Sequence, residues 1–386
     1  MIHVVYRIMK PFIVVDDLGG GVSVAAIAAR DCSAANMNSL ISLGAGPVRV
    51  VVTPQRAEAL RLERMNNRRS LPRDTATHSA GSLDDSARAL FVDLVSVEAR
   101  SGVHSGISAA DRAQTAQVLG AEVPNARDLV SPGHIFPRLG APGGLLERAD
   151  AYQGALEVCG DGELDPIQAS PAACVELLTA DGTVASPAEA EAIGARLGLP
   201  VHSLTNLVRL KLLSSPLVNR EAQSVLPLAA FGDFEGVLYT DKVSNREHLA
   251  LVRGKLGDPA APVTVRIHRK GLLEDVFGVA ALKERHGASS APSGRVQSGL
   301  ARIAQSAHGV FLYLDGGAAI GKFEPMRDYA IGAQILVDLG VRKAIVVTDS
   351  MNNLVGSMIF GVEVVGQSRL TDADVSESAE FASKES

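Results

Sequence analysis

Short runs rich in Val and Ile alternate with Ala- and Leu-rich stretches along most of the chain. The runs include "PFIVVDD" at 11–17, "VRVVVTP" at 48–54, "HGVFLYLD" at 308–315 and "KAIVVTDS" at 343–350. Short β-branched runs of this kind read as strands, and their alternation with helical periods predicts an α/β fold of mixed layers. The clearest helix is "SPAEAEAIGARLGL", predicted over 186–197. Ser186 is placed to cap it, Glu189 to complete a capping box and Gly198 to close the last turn. In "RDYAIGAQILVDLGV", Ile331, Ile335, Leu336 and Leu339 recur at helical spacing and predict a core-facing helix.

The pattern lapses in three places. Residues 66–87, "NNRRSLPRDTATHSAGSLDDSA", concentrate Ser, Asp, Asn and Pro and read as a long surface loop. "LLSSPLVNREAQSV", Leu212 to Val225, loses apolar alternation and reads as an interdomain linker over 213–225, with strand-like text resuming at Leu226. Residues 371–386 are acidic, rich in Ser and Ala, and read as a disordered tail. Two domains are therefore expected, over 1–212 and 226–370, in keeping with a length of 386 residues.

Composition narrows the partners. The chain is 46% hydrophobic and 21% charged, lacks tryptophan, and carries a formal net charge of -6. No basic field is available for nucleic acid or an anionic membrane. No apolar run reaches the ~18 residues that a membrane span requires, and the N-terminal text lacks a cleavage signal, so a cytoplasmic location is expected. Cys32, Cys159 and Cys174 are far apart and read as buried free thiols rather than a disulfide framework or a paired-cysteine zinc site.

"IVVDDLGGGVSVAA", 13–26, runs a strand into Asp16 and Asp17 and then into three glycines. The loop lacks both the Gly-x-Gly-x-x-Gly spacing and the lysine of a phosphate cradle, and reads as a turn. "GGAAIG", 316–321, is equally short of a nucleotide fingerprint.

"SGISAADRAQT" at 105–115, "PGHIFPR" at 132–138, "GGLLER" at 143–148 and "CVELLTADGTVA" at 174–185 resemble the 3,4-dihydroxy-2-butanone 4-phosphate synthase family. "REHLALVRG" at 246–254, "VRIHRKGLLEDVFG" at 265–278 and "RDYAIGAQILVDLGV" at 327–341 resemble GTP cyclohydrolase II. Their order is that of the bifunctional riboflavin-pathway enzyme. The resemblance implies a synthase-like domain, dimeric with its pocket near the two-fold interface, followed by a cyclohydrolase-like domain.

Against that resemblance, the residue types for metal binding are missing. The acidic loop of the synthases is replaced by Gly20, Gly21, Val22, Ser23, Val24 and Ala25, and their ligand histidine by Ala151. A hard divalent cation needs oxygen ligands that these side chains do not offer. The three zinc thiolates of the cyclohydrolases fall on Gly271, Leu282 and Glu284, and no cysteine follows Cys174. The Thr-Asn-Asn-Pro-x-Lys motif reads Thr348, Asp349, Ser350, Met351, Asn352, Asn353. Neither a metal nor another cofactor is expected.

The residues that persist at synthase positions are Arg112, Thr115, His134, Arg148 and Glu176. Arg112, Thr115 and Arg148 are the candidate anion cradle, since a guanidinium fork and a hydroxyl suit phosphate or carboxylate. Glu176, His134 and Asp16 are the candidate acid/base groups. In the second half, Arg266 and Arg327 are weaker anion-binding candidates beside His268 and Tyr329, while Glu247 and His248 read as fold determinants. Two functions stay open: a repurposed, metal-independent enzyme acting on a small anionic substrate in a specialised pathway, or a catalytically silent binding or scaffold protein.

Overall fold

The computed structural model describes residues 10–18, 21–44, 46–65, 93–160, 167, 169–242, 244–271, 275–276, 294–315, 323–348, 358–359 and 361–370. The loop read over 66–87, the tail 371–386, Gly20, "GGAAIG", Leu282, Glu284 and 349–353 lie outside them. The chain divides into two compact units, Met1–Lys211 and Leu212–Ser386.

In the first unit β1 (Phe12–Val15), β2 (Val24–Ala28), β3 (Arg49–Val52), β4 (Val97–Ala99), β5 (Leu129–Leu139), β6 (Ala172–Glu176) and β7 (Val201–Ser203) form one sheet in the order β4-β5-β3-β6-β2-β1-β7. The sheet is mixed: β1/β7 and β3/β5 are parallel, and the remaining pairs are antiparallel. Helices α1 (Ala34–Leu43), α2 (Pro54–Ala59), α3 (Ala109–Leu119) and α5 (Pro187–Leu197) enclose Ile13, Val15, Ile27, Val50, Val52 and Val175 on one face. On the other, α4 (Ala151–Gly160) covers Phe12, Val14, Val24, Ala26, Val51 and Cys174, joined by Leu207 of α6 (Leu204–Ser214). Burial of both faces explains why these strands read as unbroken apolar runs.

The capping box of α5 forms as its sequence indicates, and Gly198 closes the helix at φ 63°. Glycine takes that left-handed conformation without the Cβ penalty. All three cysteines are free and buried.

The second unit carries β8 (Val218–Leu228), β9 (Gly232–Asp241), β10 (Glu247–Arg253), β11 (Val263–Arg269), β12 (Gly309–Leu314), β13 (Lys343–Val347), β14 (Met358–Ile359) and β15 (Val362–Ser368). Their order is β14-β15-β13-β11-β12-β10-β9-β8. Helix α7 (Gly294–Ala304) packs Leu300 and Ile303 on Phe234, Leu251 and Phe311 of one face. Helix α8 (Phe323–Asp338) lies on the other, where Gly332 abuts Ile267, Leu312 and Leu314. Its Ile331, Ile335 and Leu336 are buried, in accord with the helical spacing.

The linker expected over 213–225 is corrected by the structure: α6 extends to Ser214, and Val218–Leu228 is an eleven-residue strand paired with β9. This strand ends the sheet and is exposed along most of its length, so nothing selects apolar residues at alternate positions. Among the described residues no helix is long and apolar enough to cross a membrane.

Candidate functional site

Three strands of the first unit bring polar side chains to the face that α4 covers. Arg49 on β3 is in register with Cys174 on β6, and Glu176 follows two residues later on the same face. Arg49 Nη1 donates to Glu176 Oε1 at 3.0 Å and to Tyr152 Oη at 3.1 Å. Tyr152, on α4, donates its hydroxyl to the same Oε1 at 2.7 Å. Glu176 Oε2 takes no hydrogen bond from the described residues. A cation and a phenol thus grip one oxygen of the carboxylate, and the other keeps lone pairs for a proton.

Electrostatics keep Tyr152 protonated and Arg49 charged. Burial pushes the Tyr152 phenol well above its ordinary range; Arg49 opposes that and Glu176 adds to it, so Tyr152 remains a donor. Burial works against the charge of Arg49, but Tyr152, Glu176 and Asp93 outweigh it and raise its pKa.

Arg138 on β5 stands 4.4 Å over the Tyr152 ring, a cation–π contact of roughly 1 kcal/mol. It also reaches Asp93 at 3.6 Å and Asp150 at 3.8 Å. Arg148 meets Asp150 at 3.0 Å and donates to the Leu139 carbonyl at 2.8 Å. Burial foremost, opposed by Asp150 and reinforced by Arg138, lowers the Arg148 pKa. Arg148 and Glu176 therefore belong to one network through Asp150, Arg138 and Tyr152. Sequence reasoning missed Arg49, Arg138, Tyr152 and Asp150. The signal available was Arg49 itself, a charge inside the apolar run "VRVVV".

The expected cradle of Arg112, Thr115 and Arg148 is not assembled. Thr115 is buried, accepts from the Ala99 amide at 3.1 Å and donates to the Asp111 carbonyl at 3.0 Å, which ties α3 to β4. Its hydroxyl is consumed by that joint. Among the described residues no hydrogen bond joins Arg112 to Thr115 or Arg148, and its Nε has no partner. The neighbouring Asp111 accepts from the amides of His104, Ser105 and Gly106 at 3.3, 3.1 and 3.0 Å, holding the loop before α3. Burial disfavours its charge, yet these amides and Ser108 overcome it and lower the pKa.

His134 faces Glu98 at 3.2 Å with 43% of its side chain exposed, so it is not a core histidine. Continuing the β3–β5 register puts it on the row of Glu176, two strands away or about 10 Å. Asp16 is buried and braces its own turn: its amide donates to Ser23 Oγ at 3.1 Å and its Oδ1 accepts from the Leu18 amide at 3.2 Å. A Cβ at Gly21 would stand 2.9 Å from Asp16 Oδ2, so the third glycine of the loop permits this close approach. Asp17 binds Ser203 Oγ at 2.6 Å and the Thr205 amide at 2.9 Å at the start of α6.

At the described positions the side chains do not supply the ligands that the metals of the resembled families need. Ala151, buried under the sheet, presents a methyl group where a ligand histidine is expected, and Glu176 is engaged by Arg49. Among the described residues no group of three His, Cys, Asp or Glu side chains is placed to hold an ion. A cleft of about 680 Å³, lined by Ile41, Leu43, Leu178, Thr179, Glu189 and Ile193, opens beside α1 and α5, on the opposite face from the triad.

In the second unit Arg266 is buried on the α7 face and donates to the Val347 carbonyl at 2.9 Å. Arg327 is buried on α8, which covers the opposite face, and Tyr329 is exposed. His268 binds Asp275 at 2.9 Å and stacks on Tyr313, whose hydroxyl donates to Asp275 at 2.8 Å. Gly271 supplies only backbone groups: its amide donates to Asp275 Oδ2 at 2.9 Å and its carbonyl accepts the Asp275 amide at 2.6 Å.

With this geometry stands a match of residues 6–210 to the family described as 3,4-dihydroxy-2-butanone 4-phosphate synthase. The chain belongs to that family. Residues 219–326 and 317–369 match GTP cyclohydrolase II, giving the two-domain order of the riboflavin bifunctional enzymes. The riboflavin biosynthesis protein RibBA of Chlorobium phaeovibrioides is 31% identical over 88% of this chain and 82% of its own. That of Bacillus subtilis is 32% identical over 67% of this chain and 69% of its own. The fold is also that of RibBX from A. baumannii, a two-domain 3,4-dihydroxy-2-butanone 4-phosphate synthase, with a TM-score of 0.68, 24% identity and coverage of 94% and 96%.

Two buried histidines and one half-buried histidine give this family member a pH response. Burial lowers the pKa of His202, His248 and His268 from an ordinary 6.5, with charges around His248 and His268 adjusting that shift. The unfolded chain therefore binds more protons near and below that value, and stability falls as pH drops through it. The urea midpoint is expected to decrease between about pH 7.5 and about pH 5.5; a flat or rising midpoint contradicts the assignment.

Proposed function

We propose that the chain is a metal-independent enzyme derived from the riboflavin bifunctional enzymes and used in a specialised biosynthetic pathway. It takes a small anionic substrate, sugar phosphates included, at the α4-covered face of the first unit. The observation that carries this reading is the Arg49–Tyr152–Glu176 triad: a fixed cation and a hydrogen-bond donor hold Glu176 as a base. In that role Oε2 removes a proton, while Arg148 and Arg138 attract the anion. His134 and Asp16 are accessory acid/base groups at the same end of the sheet. A cytoplasmic homodimer with its pocket near the two-fold interface belongs to the same reading.

A second reading, a catalytically silent binding or scaffold protein, draws on Thr115 and Arg148, whose polar groups are already paired within the protein. Both readings meet one experiment. Chelator-treated full-length protein is assayed for metal content, and for binding and conversion of pentose and tetrose phosphates with and without magnesium. The enzyme reading expects no stoichiometric metal and conversion that magnesium does not change. Binding without conversion favours the scaffold. Magnesium-dependent conversion of ribulose 5-phosphate, or one tightly held zinc per chain, overturns metal independence.

A further inference from the structure

Two buried donors in the second unit have nothing to donate to among the described residues. His248, on β10, is 1% exposed, and its Nδ1 accepts the Asp315 amide at 3.1 Å. A ring nitrogen that accepts carries no proton, so the proton of the neutral ring sits on Nε2. That Nε2 is buried and has no partner among the described residues. Arg246 precedes His248 by two residues, which places both on the side of the strand that α8 covers. Its Nη1 is likewise buried and without a partner among the described residues.

The acidic groups around them are already engaged. Asp241 Oδ1 accepts the Ser244 amide at 3.2 Å and its Oδ2 accepts the Ser244 hydroxyl. Asp315 Oδ2 is held by Lys270 Nζ at 3.1 Å. Burial keeps His248 neutral, with Asp241 and Asp315 acting against that and Arg246 and Arg327 acting with it. The local arrangement is thus a neutral N–H donor and a guanidinium donor, with the nearby carboxylates matched elsewhere. Buried donors left unmade carry the full cost of desolvation, and a cationic donor favours an anionic acceptor over water.

We propose that Arg246 Nη1 and His248 Nε2 form an oxyanion-binding pocket beside the β9–β10 hairpin of the second unit, which takes a phosphate or carboxylate group. The pocket is independent of the triad in the first unit and uses neither Arg266 nor the positions of the lost thiolates. It gives the cyclohydrolase-like half a ligand of its own.

The test titrates the full-length chain with inorganic phosphate and, separately, with acetate, in wild type, Arg246→Met and, as a control for the first unit, Arg148→Met. Arg246 is part-exposed, so its replacement leaves the core packed. The expected result is saturable binding of one of the two anions that weakens about tenfold or more in Arg246→Met and persists in Arg148→Met. The anion that saturates names the class. In a crystal grown with it, an oxygen should lie within hydrogen-bond reach of His248 Nε2. Absence of saturation by either anion up to about 10 mM, equal binding by Arg246→Met, or a lone water on His248 Nε2 in that crystal overturns the proposal.

Discussion

Glu176→Gln is expected to cut turnover by about 10²- to 10⁴-fold while leaving the fold intact. Glutamine is nearly isosteric, and its amide oxygen still accepts from Arg49 Nη1 and Tyr152 Oη in place of Glu176 Oε1. What it loses is the basic oxygen on the far side, replaced by an NH₂ group without a lone pair to offer. The substrate converted by the metal-free wild type serves as the assay, with thermal midpoints run alongside. Arg49→Met is the companion: it removes the cation and should lower both kcat and stability, the latter by about 1 to 2 kcal/mol. That figure is modest because 20% of the Arg49 side chain and 28% of the Glu176 side chain reach solvent, which screens the pair. Wild-type kcat in Glu176→Gln would remove this carboxylate from the chemistry.

Gly133→Ala is expected to destabilise the protein by roughly 3 to 5 kcal/mol. A Cβ at Gly133 would stand 2.2 Å from the carbonyl carbon and oxygen of Val97 and 2.5 Å from the Glu98 amide nitrogen. These are backbone atoms of the adjacent strand β4, so no rotamer change relieves the clash and the two strands must part. The separation would also pull Glu98 from His134 and Ala99 from Thr115, loosening the joint between sheet and α3. Gly46→Ala is the control, since its Cβ would meet nothing within 4 Å; it should fall within about 0.5 kcal/mol of wild type. Urea denaturation reads both, and a loss below about 1 kcal/mol in Gly133→Ala would mean that the two strands are not in this close contact.

What the sequence by itself determined is local or carried by long motifs. Helix α5 is legible because its determinants, Ser186, Pro187, Glu189 and Gly198, act within one or two turns of the groups they satisfy. The strands β1, β3 and β12 are legible because burial on both faces imposes an apolar run that needs no knowledge of the neighbours. Strand β8 is not, because an exposed edge imposes no pattern. The family is legible in motifs such as "PGHIFPR" and "RDYAIGAQILVDLGV".

Only the tertiary structure decided which polar groups are spent and which are free. Arg49 and Glu176 are 127 residues apart, and Arg49 and Tyr152 are 103 apart; they meet because β3 pairs with β6 and α4 crosses that face. Thr115 looked like a ligand for phosphate by residue type, but its hydroxyl closes a joint to β4. Arg148 looked free, but it is paired with Asp150. His248 looked like a fold determinant, yet the Asp315 amide on its Nδ1 turns the buried Nε2 into an unmatched donor. Residue type states what a side chain can donate or accept, whereas the partner that uses that capacity is set by strand order and helix placement, and those are fixed by packing across the whole unit.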